Sequence, residues 1–186
     1  ADERFILALT VFFWGIYLIK TGNFSEGQGI SGDGVTYVHM AKNFYYDLSP
    51  GWQGTWTAPL YSLFTALFYP LTGSFIVAAI LVAKLAGLLL PVSVYLLAST
   101  LFDAKTALIS SILTIFHPHF QFMTNIAEPE MLYTTLLVFA LFLLSKTFLF
   151  CEKRTLYALL SGVLISLIYL TRFEGLTVLC LPIFFL

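Results

Sequence analysis

The chain has 186 residues, 59% hydrophobic and 10% charged, with a formal net charge of −1. A soluble domain of this size cannot hide so much apolar surface, so the chain reads as an integral membrane protein. The near-neutral balance offers nucleic acid no basic footprint, and Cys151 and Cys180, in or beside apolar runs, read as inert thiols.

Residues 5–19 form a short first span bracketed by Arg4 and Lys20, whose stems can snorkel to the two interfaces. No small-x-small cleavage site follows, so an uncleaved anchor is expected rather than a signal peptide. A polar island rich in Gly, Tyr and Trp then covers 21–58. Within it Val35, Val38, Ala41, Phe44 and Tyr45 recur at helical spacing, which predicts an amphipathic surface helix over 34–47 with Asp33 as its N-cap. A Gly/Trp turn at 50–56 follows. Pro59 suits the first position of a second short helix, with Leu60, Leu63, Phe64, Leu67 and Phe68 apolar and Pro70 ending it. Further spans are expected over 75–102, interrupted only by Lys84, and over 106–122, 131–150 and 156–170. A sixth begins at 176.

The expected fold is all-α, a polytopic transmembrane helix bundle. One module covers 1–186, with a first outer loop at 21–58 and a juxtamembrane helix at 59–71. The chain starts at Ala1 and stops inside an apolar run, so it is expected to be the N-terminal part of a longer polypeptide. Alternating the spans gathers Arg4, Lys105, Lys146, Lys153 and Arg154 on one side and Lys20, Lys42 and Arg172 on the other. The positive-inside rule assigns the first set to the cytoplasm. The 21–58 loop, His117–His119, Glu128, Glu130 and the Arg172–Glu174 pair then share the outer face, as a site at a bundle mouth requires.

Each polar candidate has a plain and a chemical reading. Asp33, between Gly32 and Gly34, is an N-cap, or else a general base or hard-cation ligand open to close approach. His117, His119, Glu128 and Glu130 are interfacial and helix-start residues, or with Asp33 they are ligands of a divalent metal ion, although their spacing matches no strong metal motif. Lys84 stands about 14 Å into its span at 1.5 Å per residue. It snorkels, or it meets an anionic lipid headgroup drawn into the bundle. Arg172 and Glu174 make a surface ion pair, or Arg172 offers its fork to a phosphate. Trp52 and Trp56 anchor the interface, or stack on a sugar ring. No P-loop, GxSxG, HExxH, CxxC pair or dinucleotide fingerprint occurs, so no cytosolic nucleotide bound by such a motif is the donor.

Five stretches stand in a telling order. They are Asp33-Gly-Val-Thr-Tyr-Val-His-Met-Ala, Ala58-Pro-Leu-Tyr, His117-Pro, Ala127-Glu-Pro-Glu-Met-Leu-Tyr and Tyr169-Leu-Thr-Arg-Phe-Glu-Gly-Leu. Together they resemble the GT-C superfamily of polytopic glycosyltransferases, which includes aminoarabinose transferases and protein O-mannosyltransferases. The resemblance implies transfer of a sugar from a polyprenyl-phosphate carrier to a lipid, glycan or protein acceptor. The reaction would take place on the non-cytoplasmic side of an inner, plasma or ER membrane, with surrounding lipid as a further partner. It implies Asp33 as the catalytic residue and makes Tyr37, Trp56, Lys84 and Arg172 candidates for holding substrate or phosphate. Arg172, Lys84 or a metal held by His117, Glu128 or Glu130 would neutralise the departing lipid phosphate. A single displacement would invert the anomeric carbon. Many members carry Asp-Glu where this chain has Asp33-Gly34.

The alternative class is a non-catalytic transmembrane scaffold or accessory subunit of a larger complex, derived from such a module. A small transporter fits less well, because interior charges are few and no internal repeat is evident.

Overall fold

The computed structural model describes residues 3–20, 29–51, 57–149 and 153–177. They form α1 (Glu3–Lys20), α2 (Gly32–Asp47), α3 (Leu60–Thr72), α4 (Phe75–Leu101), α5 (Ala104–Phe116), α6 (Pro118–Met123), α7 (Glu130–Leu149) and α8 (Arg154–Thr171). No strand occurs among the described residues, in agreement with the all-α expectation. By length and composition α4, α7 and α8 can each cross a membrane, and α1, α3 and α5 are shorter apolar helices. The protein is an integral membrane helix bundle.

Several boundaries differ from those the sequence predicts, each for a local reason. The N-cap of α2 is Ser31, whose Oγ accepts from the Gly34 N–H at 3.0 Å. Asp33 lies inside the first turn, where a carboxylate meets the positive end of the helix dipole. Pro59 is the N-cap of α3 and not its first residue. Pro70 forfeits one backbone hydrogen bond without ending that helix. Gly73 ends it, with φ 70° and its N–H on Tyr69 O at 2.9 Å. The expected span at 106–122 is split in two. Pro118 pushes His117 to ψ 118°, which stops α5, and then opens α6 as its first residue. Of the expected sixth span, Leu176 and Thr177 belong to a 3-10 turn at 173–177, and 178–186 lie outside the described residues.

Helix α4 is the axis, touching α1, α3, α5 and α7. Trp14 Nε1 donates to Gly87 O at 3.0 Å and Lys84 Nζ to Leu18 O at 2.6 Å, so α1 runs antiparallel to α4. Ser111 Oγ donates to Pro91 O at 2.9 Å, and Ala107 packs with Tyr95 and Ala98, so α5 is antiparallel too. Met131 packs with Ala83, Ala86 and Leu90, and Thr135 Oγ1 donates to Ala86 O at 3.0 Å, so α7 is parallel to α4. The α3–α4 pair is a hairpin about Gly73 and Ser74, tied by Tyr61 OH to Ala79 O at 2.8 Å.

These contacts fix the height of Lys84. Helix α4 has 27 residues, about 40 Å against a hydrocarbon core of about 30 Å. Its first two turns stand beyond the last turn of α1 and the first turn of α7, covered by α2 and α3. Lys84 therefore sits level with the last turn of α1 and the first turn of α7. The Leu18 carbonyl it binds is one of the four that a helix C-terminus leaves without a partner.

Candidate active site

Three segments meet at the end of the bundle where α1 stops: the start of α2, the connection into α7, and the turn after α8. The first two dock backbone to backbone. Ala127 N–H donates to Gly29 O at 2.6 Å, and a Cβ at position 34 would collide with the Ala127 carbonyl oxygen. That close approach requires Gly34. Behind it, Tyr37 is buried against Tyr61, edge to face with ring centroids 5.7 Å apart, and its carbonyl accepts from Ser62 Oγ at 2.8 Å.

The third segment carries the cation. Arg172 leaves α8 in an extended conformation. Its Nη1 donates to Glu130 Oε1, which brings the first residue of α7 to the end of α8. On its other edge, Nε and Nη2 each lie 3.4 Å from the Glu174 carboxylate, a longer and looser pairing. Gly175 makes that pairing reachable. A Cβ there would lie 2.8 Å from Ile168 Cγ2 and from the Tyr169 nitrogen, so only glycine lets the turn fold back on α8.

Between these segments opens a cavity of about 310 Å³, lined among others by Asp33, Thr36, Tyr37, Thr57, Arg172 and Glu174. Asp33 is exposed at its mouth. Burial raises the Tyr37 hydroxyl to about 12; the Arg172 cation pulls it down, while Glu130, Glu174 and Asp33 push it up. Tyr37 thus senses all four charges of the site and stays a neutral phenol. Glu174 is held below the ordinary glutamate value, first by a backbone hydrogen bond and then by Arg172. For Arg172 burial works against the charge, but Glu174 and Glu130 outweigh it and raise its pKa.

Residues 57–186 match the family model of the dolichyl-phosphate-mannose-protein mannosyltransferases. The chain belongs to that family. It is therefore a member of the GT-C glycosyltransferases, as its motifs suggested. The match takes in Thr57, Glu130, Arg172 and Glu174, while Asp33, Thr36 and Tyr37 precede it. No curated protein and no solved structure matches the chain.

Glu128 stands beside Glu130, and the other candidates lie elsewhere. His117 and His119 are exposed at the α5–α6 corner, their rings 6.3 Å apart and both beside Phe120. Glu128 is half-buried in the connection before α7. Among the described residues no three His, Cys, Asp or Glu side chains are grouped to hold a metal ion. His117, Glu128 and Glu130 thus do not make the ligand set expected for a divalent ion. Lys84 is buried and, among the described residues, donates to Leu18 O and to Asn125 Oδ1 at 2.9 Å, outside the cavity lining. Trp56 lies outside the described residues.

Sequence reading missed the Glu130–Arg172 pair, 42 residues apart. The one available signal was that both stood on the same predicted face. It also missed Thr36 and Thr57, whose hydroxyl side chains carry no pattern of their own, and the duty of Ser31, which Asp33 had been given.

Proposed function

We propose that this protein transfers a sugar from a polyprenyl-phosphate carrier to an acceptor hydroxyl on the non-cytoplasmic side of the membrane. One observation carries the reading: Asp33 and Arg172, from opposite ends of the chain, line one cavity. The family supports a lipid-linked donor. The charge pattern supports the orientation, because Arg4, Lys105, Lys146, Lys153 and Arg154 fall at the opposite end of the bundle.

In this reading the Asp33 carboxylate accepts the proton of the acceptor hydroxyl. The acceptor oxygen forms its bond to the anomeric carbon as the bond from that carbon to the phosphate oxygen breaks. The polyprenyl phosphate leaves with the electron pair, and the Arg172 guanidinium takes up the charge that develops on it. The sugar inverts. Tyr37, neutral and largely buried, shapes the wall beside both groups. This sequence of steps uses side chains alone. The membrane is the plasma (inner) or ER membrane.

The test is turnover of donor lipid by the full-length protein, wild type against Asp33→Asn, in one detergent. Asparagine keeps the size and leaves the Ser31 cap in place, so folding is retained. Turnover is expected to fall at least about a hundredfold, the scale of general-base help. Equal turnover removes Asp33 from the chemistry. An intact wild type that turns over no donor points to the scaffold reading.

A further inference from the structure

Around Arg172 stand three carboxylates. Glu130 and Glu174 touch it, and Asp33 lines the same cavity. An anionic phosphate entering this site meets more negative charge than positive. Either a cation enters with it or one carboxylate withdraws. The loose contact of Glu174 with Arg172 points to withdrawal.

The two glutamates that touch Arg172 are not equivalent. Glu130 has a side chain 28% exposed and is fixed at the first turn of α7, whereas the Glu174 side chain is 67% exposed on a short turn. Glu174 takes the Nε–Nη2 edge of the guanidinium side-on, with both contacts at 3.4 Å. That edge is the one a phosphate takes with two parallel hydrogen bonds. An exposed ion pair of this kind contributes little, so little opposes its exchange.

We propose that Glu174 is a resident counter-ion. It holds the free edge of Arg172 while the cavity is empty and yields it to the phosphate of the lipid carrier. Glu130 stays bound throughout and keeps the guanidinium aimed. Gly175 keeps Glu174 near enough to return when the lipid phosphate leaves. The inference rests on the glycosyl-transfer reading above, but it concerns binding and is measured without transfer.

The experiment is calorimetric titration of the full-length protein in detergent with farnesyl phosphate, a short product-like probe, and with farnesol as the uncharged control, both in EDTA. Glu174→Gln is expected to bind farnesyl phosphate about threefold tighter or more, since a competing like charge is gone. Farnesol affinity is expected to stay unchanged. Arg172→Gln is expected to abolish phosphate-dependent binding, and in the double variant the gain disappears. Glu174→Ala is the second variant and shows the same gain. Unchanged or weaker binding by both Glu174 variants overturns the exchange and leaves Glu174 as an orienting partner. Wild-type binding that requires a divalent ion and vanishes in EDTA also overturns it. Failure of the transfer reading looks different: Asp33→Asn would keep its turnover whatever Glu174 does.

Discussion

Arg172 and Lys84 are two cations at the same end of one bundle, and the structure uses them oppositely. Arg172 is paired with carboxylates on two sides and lines a cavity. Lys84 is buried and, among the described residues, donates to two neutral acceptors, a helix-end carbonyl and a side-chain amide. The amide is itself tied back, through Asn125 Nδ2 to Gln121 O at 2.7 Å. A cation held by carboxylates keeps a region of negative potential where charge can be exchanged. A cation held by backbone carbonyls ties chain segments together. Sequence left each cation open to a plain and a chemical reading, Lys84 as an intramembrane charge and Arg172 as a fork for phosphate. The partners among the described residues separate the two.

The comparison breaks most visibly at Arg172. Arg172→Gln removes the one cation that lines the cavity among the described residues and is expected to lower turnover at least about a hundredfold, as loss of a group that stabilises developing charge does. It also leaves Glu130 with neither oxygen bonded to a side chain, because Oε2 is already buried without a partner among the described residues. Thermal stability is expected to drop as well, by less than the roughly 3–5 kcal/mol of a fully buried pair, since both side chains keep some exposure. Adding Glu130→Gln is expected to restore stability without restoring turnover. Recovery of turnover in the double variant would remove Arg172 from the chemistry.

Lys84→Met sharpens the contrast from the other side. It keeps an unbranched chain of similar length but strands Leu18 O and Asn125 Oδ1. A loss of about 2–3 kcal/mol is expected from a hydrogen-bonded charge in a buried setting. Donor turnover per folded molecule is expected to persist. Full stability with lost turnover would mean that Lys84 serves the substrate after all.

The site depends on backbone contacts as much as on charge. Gly34→Ala pushes a methyl into the Ala127 carbonyl and must shift either α2 or the connection into α7. About 1–2 kcal/mol of destabilisation is expected, in the range of overpacking, with a fall in turnover as Asp33 moves relative to Arg172. Unchanged melting would mean that the two segments are not packed this closely. The same contact leaves no room for a glutamate after Asp33 in this chain.

The apolar runs made the helix positions legible, because each needs only local periodicity and a cap or breaker. The split at His117–Pro118 was also written in the sequence, since a proline biases the residue before it away from helix. The elements of the cavity could be named, as Asp33, Tyr37 and Arg172 were. Their pairing could not, because Glu130 meets Arg172 only once α7 and α8 lie antiparallel. The level of Lys84 against its neighbours was hidden for a related reason. Counting from the start of α4 presumes that all helices start level, and α4 starts two turns beyond the others.

The smallest effect expected is alkaline. Tyr37 is raised to about 12, chiefly by burial, so the fold favours the neutral phenol over the phenolate. Its contribution is complete below the ordinary tyrosine value near 10 and is lost as pH rises through about 12. Stability of the wild type should therefore fall with pH across that window, because the unfolded chain releases the proton first. Fully buried Tyr61, also raised by burial, contributes its own loss. The informative quantity is the difference between wild type and Tyr37→Phe, measured as melting temperature between pH 9 and 12. Phenylalanine keeps the edge-to-face contact with Tyr61 and has no proton to lose, so its melting should decline less steeply. Parallel curves would place the Tyr37 hydroxyl in free contact with solvent, and the cavity wall beside Asp33 and Arg172 would then be more open than its burial indicates.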